Sequence, residues 1–369
     1  MPVYWSLLAW TCFVALTYKK WFVFKVKTIG ERTEAKPLLI SYIFSFLPLI
    51  VLTGLRGNFS DTPGYIQSFE QLPSDFSQIL NLEMKDKLFY QIAAVIKIAF
   101  PDVHVWFTII AVFQIVCLCV TIRFYSEMPG LSIFFFIVST GFSYMFNGIR
   151  QFVAIMILFA GFKLLVQKKY IWYILLIIVA SQFHGTAYVM IVGLAASFIR
   201  PWSKLSFASI GVFTVAMVFL DPILSQMKIF LEDTEYSGQL NRLTELGGVN
   251  YIRVLVAAVP CVIGFVFRNN KALRESREYK IAFNMAMLNV AFLTAASIVG
   301  GNLMARLAAY FQYYLILVYP VLFKHCFREG KERQIAVSVF AVCYTAWFWF
   351  QLRVTWDGRY VSEILGLNY

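Results

Sequence analysis

Residues 104–122, HVWFTIIAVFQIVCLCVTI, form an apolar run that contains no acidic or basic side chain other than one histidine. A helix needs about 20 residues to cross the roughly 30 Å hydrocarbon core of a bilayer, and this run has that length. Its apolar residues are continuous and do not alternate with polar ones, which favours a helix over a barrel strand. The run therefore predicts a transmembrane helix.

The rest of the chain has the same character. Of its 369 residues, 60% are hydrophobic and only 14% are charged, whereas soluble domains are about half apolar and about a quarter charged. We therefore predict an all-α, polytopic transmembrane bundle of about 12 spans (11–13), which forms a single integral membrane domain over residues 1–369. The predicted spans are 3–18, 37–55, 104–122, 131–146, 149–166, 170–183, 185–199, 204–220, 251–267, 281–299, 303–323 and 334–350.

Several chemistries find no support in the sequence. The six cysteines form no CxxC pair, so neither a disulfide framework nor a zinc site is indicated. No HExxH motif, P-loop or Rossmann glycine pattern is present, so we predict no metal and no cofactor. The first apolar run is followed, not preceded, by lysines, which indicates a first span and not a cleavable signal peptide.

Basic residues predict the orientation of the spans, because cytoplasmic loops are enriched in lysine and arginine. The net charge of +12 therefore reflects membrane topology, and nucleic-acid binding is not predicted. The basic loops assigned to the cytoplasm are 19–36, 163–169, 200–204, 268–280 and 324–333, together with Arg123.

Two long segments are predicted to be extracytoplasmic loops, 56–103 and 221–250. Residues 88–100, LFYQIAAVIKIAF, are apolar but short, and Lys97 interrupts them. If this segment crossed the membrane, every later basic loop would lie outside. We therefore predict an amphipathic or re-entrant helix on the outer surface. The acidic 221–250 segment has the features of a mobile lid or a docking surface.

Five polar clusters lie at or beside predicted spans, where charged side chains are costly and commonly functional. All five fall on the predicted extracytoplasmic side. They are GLRGNFSDTPGY (54–65), FNGIRQ (146–151), SQFHGT (181–186), GGNLMAR (300–306) with Tyr310 one turn further on, and TWDGR (355–359).

Each of these residues also has a purely structural interpretation. Arg56 could extend to lipid headgroups, Asp61 could cap a turn, and His184 could be a packed core histidine. Arg306 is harder to explain, because it lies about a turn into an apolar run and requires an anionic partner or a wet cavity. Because all five clusters lie on the same predicted side, together they indicate one site. Its arginines favour an anionic ligand, since the guanidinium of arginine binds phosphate bidentately.

The chemistry that these residues favour is group transfer from an anionic leaving group at the outer membrane face. Arg56, Arg150 and Arg306 would suit a lipid diphosphate whose chain lies in the bilayer. Asp61 and His184 can both exchange protons, so either could be the general base for a hydroxyl nucleophile. The sequence does not choose between them, and a sufficiently activated leaving group would make a base unnecessary.

The ordered segments GLRGNFSDTPGY, FNGIRQFVA and SQFHGTAY resemble the EpsG family, whose members are Wzy-like polymerases of bacterial exopolysaccharide, capsule and O-antigen pathways. The likeness covers roughly residues 40–310. It implies a bundle similar to GT-C-type glycosyltransferases in the bacterial inner membrane, with its active site facing the periplasm. The implied activity joins polyprenyl-diphosphate-linked oligosaccharide repeat units. The implied partners are these lipid-linked units, the bilayer, and the flippase and chain-length regulator of the same pathway.

The resemblance also implies roles for individual residues. Asp61, His184, Arg150 and Arg306 would be catalytic, with the two arginines stabilising the leaving diphosphate and Asp61 or His184 activating the acceptor hydroxyl. The implied substrate-binding residues are Arg56, Tyr65, Asn147, Gln151 and Tyr310.

Two other classes of protein remain as alternatives. A flippase or other transporter of lipid-linked oligosaccharides would require polar residues through the whole bundle, and the one-sided placement of the clusters argues against it. Another membrane sugar transferase or ligase would use similar residues, and the sequence leaves this alternative open.

Overall fold

The computed structural model describes the whole chain except residues 1, 22–23, 30–31, 83, 214–218, 220–248, 299–301, 356–358 and 369. The chain separates into two compact units. The first comprises Met1–Tyr188 and Phe327–Tyr369, and the second comprises Val189–Cys326. The predicted extracytoplasmic loop 221–250 lies almost wholly outside the described residues.

Helices form most of the first unit, both in the predicted apolar runs and in the predicted loop 56–103. Its helices are α1 (Pro2–Trp21), α2 (Leu39–Ser45), α3 (Leu47–Gly54), α4 (Thr62–Glu70), α5 (Phe76–Ile79), α6 (Lys87–Ala99), α7 (Val103–Tyr125), α8 (Pro129–Val138), α9 (Ile149–Ala160), α10 (Phe162–Val166), α11 (Tyr170–Ser181) and, after the second unit, α19 (Lys331–Phe350).

The second unit is also helical where it is described. Buried asparagines connect its helices: Asn284 donates to the carbonyls of Ala196 and Ile199 at 2.8 and 2.7 Å, and Asn289 donates to that of Ala308 at 2.9 Å. The helices are α12 (Met190–Ala196), α13 (Lys204–Phe213), α14 (Tyr251–Val266), α15 (Lys271–Glu275), α16 (Arg277–Ile298), α17 (Asn302–Gln312) and α18 (Leu315–Cys326).

The protein is a multi-pass membrane protein. In the described part of the chain, four helical segments are long and apolar enough to span a bilayer: Val103–Tyr125, Ile149–Val166, Arg277–Ile298 and Lys331–Val354. A fifth span results if Leu303–Gln312 and Leu315–Cys326, which meet at 47°, are counted as one broken span. The count of about twelve spans stays a prediction.

Breaks in the helices explain why fewer spans are evident than the sequence predicts. The 37–55 run is divided at Phe46, where Pro48 begins a new helix. The 131–146 run contains the ten residues of α8 and then a 3₁₀ turn at Gly141–Met145, which follows Thr140 in a left-handed conformation. Several predicted spans are therefore pairs of short helical pieces, each shorter than a bilayer requires.

The 56–103 segment has a folded core of its own. The buried side chains of α4, α5 and α6 pack around Trp106 at the start of α7. Phe69 stacks on Trp106 with ring centroids 5.1 Å apart, and Phe89 lies 5.6 Å from the same ring. The segment is thus attached to the end of α7 by aromatic packing.

Lys97, which interrupts the apolar 88–100 run, has a structural role. Its Nζ donates to the carbonyls of Glu70 and Leu72 at 2.7 and 2.6 Å, at the C-terminal end of α4. Helix ends leave carbonyls unpaired and carry partial negative charge, so a lysine is favourable there. The amine therefore connects α6 to α4, and residues 87–99 form a helix, whose location on the outer surface stays a prediction.

Lys97→Met is expected to loosen α6 while leaving the spans intact. The substitution keeps the apolar part of the side chain but removes two charge-assisted hydrogen bonds. The local stability of α6 should fall by about 1–2 kcal/mol, because hydrogen bonds near water contribute less than buried ones. Amide hydrogen exchange in α6 should accelerate about 5- to 30-fold. Lys87→Met is the control, because Lys87 is exposed at the start of the same helix. Equal exchange rates in both variants would show that Lys97 does not anchor the loop.

The structure confirms the predicted all-α class, and two short hairpins accompany the helices. Phe24–Ile29 (β1) pairs antiparallel with Arg32–Pro37 (β2), and Val361–Ser362 (β3) pairs antiparallel with Leu367–Asn368 (β4). The second hairpin is hydrogen-bonded to α3 and to the start of the 56–103 segment. The Tyr360 hydroxyl donates to the carbonyl of Leu52 at 2.8 Å, and the backbone N–H of Gly57 donates to that of Val361 at 2.8 Å.

Candidate active site

A buried carboxylate connects two of the predicted site residues in the first unit. Arg150 Nη1 donates to Asp86 Oδ2 at 2.8 Å, and His184 Nδ1 lies 3.2 Å from the same oxygen. The side chain of Asp86 is 4% exposed, that of His184 is 13% exposed and that of Arg150 is 27% exposed. The carboxylate is therefore buried, while part of the guanidinium side chain is exposed and could contact a ligand.

Local backbone conformation brings these three side chains together. Asp86 precedes α6 in the left-handed region at φ 61°, and its side chain does not cap the helix. Aspartate adopts this region more readily than bulky residues do. Gly148, at φ 80°, makes the turn that places Arg150 at the start of α9. His184 follows α11, where its N–H donates to the carbonyl of Ala180 at 3.1 Å.

Two tyrosines complete the surroundings of Arg150. Tyr65, from α4, forms a hydrogen bond with the guanidinium. The ring of Tyr90, from α6, has its centroid 5.6 Å from the guanidinium carbon. Both tyrosines belong to the buried cluster around Trp106. The orientation of Arg150 is thus set by a carboxylate, a hydroxyl and an aromatic face.

The charges of the cluster keep Asp86 ionised. Burial raises the pKa of Asp86, but the hydrogen bond with His184 and the charge of Arg150 lower it by more. The pKa of Asp86 therefore lies below its usual range, and at neutral pH the group accepts hydrogen bonds only. Burial raises the pKa of Tyr65 even though Arg150 opposes this change, so Tyr65 remains a neutral hydroxyl.

Arg56 is completely buried in the same unit. Its Nε donates to Thr62 Oγ1 at 3.0 Å, its Nη1 donates to the carbonyl of Thr53, and its guanidinium carbon lies 3.9 Å from the ring centroid of Phe107. Nη2 has no hydrogen-bond partner in the described part of the chain. These contacts hold the start of the 56–103 segment together, and a substrate-binding role for Arg56 stays a prediction.

The other predicted residues of the first unit differ in how deeply they are buried. Asp61 is exposed at the start of α4, and its charge acts on the buried Tyr65. Asn147 is half-buried beside Gly148, and its side chain makes no hydrogen bond to the described residues. Gln151 is 3% exposed. Of the nine predicted residues, the structure brings Tyr65, Arg150 and His184 into direct contact with the cluster.

Arg306 and Tyr310 lie in the second unit, on α17. Arg306 is exposed, and Tyr310 is 2% exposed. Their roles in catalysis and substrate binding stay predictions.

Asp86 is the residue that sequence reasoning missed. It stands between Lys85 and Lys87, a pattern typical of a solvated turn. One available signal was its position directly before the amphipathic 88–100 helix, where an acidic residue is commonly a cap. Nothing in the local sequence shows that the side chain instead meets residues 64 and 98 positions away. Among the described residues no group of histidine, cysteine and acidic side chains could hold a metal ion.

Comparisons with known proteins identify the family. Neither the curated proteins nor the solved structures include a significant match to this chain. The sequence profile of the EpsG family matches residues 39–362, a range that includes all nine predicted site residues and Asp86. The chain therefore belongs to the EpsG family.

Proposed function

We propose that this protein is a polysaccharide polymerase. It joins polyprenyl-diphosphate-linked oligosaccharide repeat units at the outer face of the bacterial inner membrane, in the synthesis of an O-antigen, capsule or exopolysaccharide. The observation that carries the proposal is the contact of Asp86 with both Arg150 and His184, in a multi-pass member of the EpsG family. The proposal includes a bundle of about twelve spans with GT-C-like architecture.

The cluster supplies a base for the acceptor hydroxyl. With Nδ1 donating to Asp86, the lone pair of His184 Nε2 is available, and Nε2 has no partner among the described residues. A histidine oriented by a carboxylate is a recurrent way to activate a hydroxyl nucleophile. His184 is therefore the proposed base, while Asp61, which does not contact this histidine, is the secondary candidate.

In the proposed reaction the donor glycan is transferred to the acceptor hydroxyl in a single displacement step. His184 Nε2 takes the proton of the acceptor hydroxyl, and the hydroxyl oxygen attacks the anomeric carbon of the donor glycan. The bond from that carbon to the diphosphate oxygen breaks, and the polyprenyl diphosphate leaves with the electron pair. Arg150 stabilises the developing negative charge with the N–H groups that Asp86 and Tyr65 do not use.

The remaining predicted residues would bind the two substrates. Asn147, Gln151 and Tyr65 are proposed to contact sugar hydroxyls or phosphate oxygens. Arg306 and Tyr310 keep the roles that family membership implies, in diphosphate and sugar binding. The lipid-linked units are the proposed substrates, and the flippase and chain-length regulator of the same pathway are the proposed partners.

A deletion strain distinguishes a polymerase from a flippase. Without a polymerase, single repeat units still cross the membrane and reach the surface, so the surface glycan should shorten to one-unit species. Without a flippase, surface units should disappear and lipid-linked units should accumulate inside. Gel analysis of surface glycan, with wild-type complementation as the control, measures the difference. Complete absence of single-unit material would refute the polymerase proposal.

A further inference from the structure

A basic pocket lies in the second unit, where the 200–204 and 268–280 segments meet. Its volume is about 340 Å³. Four cationic side chains line it: Arg200, Arg268, Arg274 and Lys280. No aspartate or glutamate is among its lining residues. The pocket therefore presents four positive charges to any ligand that enters it.

These cations have no acidic partners in the described part of the chain. None of the four forms an ion pair there, and Arg268 is held only by donating to the carbonyl of Phe265 at 3.1 Å and by stacking on that ring. By contrast Lys271, which does not line the pocket, lies 4.0 Å from Glu275. Clustered cations without carboxylates repel one another, and a bound anion removes that cost.

A buried hydroxyl in the pocket wall is also unpaired. Tyr279 is 5% exposed, and its hydroxyl makes no hydrogen bond to the described residues. The hydroxyl lies against Gly264, another lining residue. A buried hydroxyl without a partner costs free energy, and an oxygen of a bound ligand would provide the partner.

An apolar cavity of about 230 Å³ adjoins the basic pocket. Trp202 lines both spaces, and it packs on Phe265 and Phe283 with centroid distances of 5.1 and 5.6 Å. Met287, Val290 and neighbouring residues of α16 also line the apolar cavity. Trp202 also has φ 60°, a strained conformation for a bulky residue that functional sites often retain.

From this arrangement we infer that the second unit binds an anionic glycerophospholipid. The phosphate is held by Arg268, Arg274 and Lys280, and an acyl chain extends past Trp202 into the apolar cavity. Arginine matches phosphate oxygens bidentately, and the combination of charge and apolar volume fits a lipid better than a soluble anion. The positive-inside assignment of both basic loops places this site at the cytoplasmic leaflet, where anionic lipids are recognised by basic pockets.

Native mass spectrometry of the detergent-solubilised full chain tests this inference. The affinity for dioleoylphosphatidylglycerol is compared with that for dioleoylphosphatidylcholine. In a separate experiment, inorganic phosphate is added as a competitor of dioleoylphosphatidylglycerol. The pocket variant Arg268→Gln/Arg274→Gln/Lys280→Gln should bind phosphatidylglycerol at least about tenfold more weakly, since each charged hydrogen bond contributes more than a tenfold change. The control Lys271→Gln/Arg328→Gln/Lys331→Gln removes the same charge from exposed positions outside the pocket and should bind as the wild type does.

A second variant tests the apolar cavity without changing charge. Ala291→Phe fills space beside Val290 and should weaken phosphatidylglycerol binding while the protein remains monodisperse. Wild-type affinity in the pocket variant would overturn the site. Displacement of phosphatidylglycerol by millimolar phosphate, with Ala291→Phe unaffected, would show that a soluble anion and not a lipid occupies the pocket.

Discussion

Asp86→Ala is expected to lower polymer formation about 100-fold or more, because general-base catalysis contributes about that factor. The substitution leaves His184 without the carboxylate that orients its ring, and it leaves Arg150 with Tyr65 and Tyr90 alone. Removing one partner of a fully buried ion pair costs about 3–5 kcal/mol. Arg150 is 27% exposed, so the cost here should be nearer 1–3 kcal/mol, and the protein should still insert.

The measurement is surface glycan length in a deletion strain that carries each variant at equal membrane abundance. Asp75→Ala is the matched control, because Asp75 also precedes a helix of the 56–103 segment but accepts only from the N–H of Ser77 and is exposed. Asp86→Asn keeps the size and removes the charge, so it should resemble Asp86→Ala in activity. Normal chain length in Asp86→Ala would remove the cluster from the mechanism.

Arg150→Lys is expected to reduce polymer formation about 10- to 100-fold, which corresponds to about 1.4–2.8 kcal/mol. Lysine keeps the positive charge, but its ammonium is compact and strongly hydrated. It cannot bind Asp86 and Tyr65 while also presenting a planar pair of donors to a diphosphate. The effect should appear in the rate of transfer, since Arg150 is proposed to stabilise charge that develops as the leaving group departs.

Arg123→Lys is the control for this substitution. Arg123 is half-buried at the last turn of α7, and its guanidinium carbon lies 5.3 Å from the ring centroid of Phe124, similar to the arrangement of Arg150 and Tyr90. It is predicted to face the cytoplasm, so its variant should make full-length polymer. Arg306→Lys is expected to lose polymer with Arg150→Lys. Full-length polymer in both of these variants would exclude diphosphate binding by the two arginines.

The candidate site could be predicted in part because charges near apolar spans attract attention. Arg150 and His184 stand out for that reason, and the structure places them on one carboxylate. Asp86 could not be found in this way, since a carboxylate between two lysines in a loop is ordinary. Arg56 stands out for the same reason as Arg150, but its nearest partners are the threonines and phenylalanine that bury it. The sequence shows that a charge is unusual, but not which groups surround it.

The fold was predictable at the level of apolar runs and less so at the level of complete spans. Residues 104–122 and 149–166 correspond closely to segments that can span a bilayer. The 131–146 and 303–323 runs contain breaks at Thr140 and at Tyr313–Tyr314, where no proline marks the interruption. Hydropathy records the composition of a run, but it does not record whether the helical hydrogen bonds continue through it.

The C-terminal hairpin has a consequence for the order in which the protein matures. Tyr360 bonds to the carbonyl of Leu52, a partner 308 positions earlier in the chain, and Val361 bonds to Gly57 at the beginning of the 56–103 segment. During synthesis this segment emerges long before the residues that hold its beginning. Until Tyr360 and Val361 have been synthesised, the segment that carries Tyr65 and Asp86 therefore lacks these contacts, and its packing cannot be complete while only the preceding part of the chain exists.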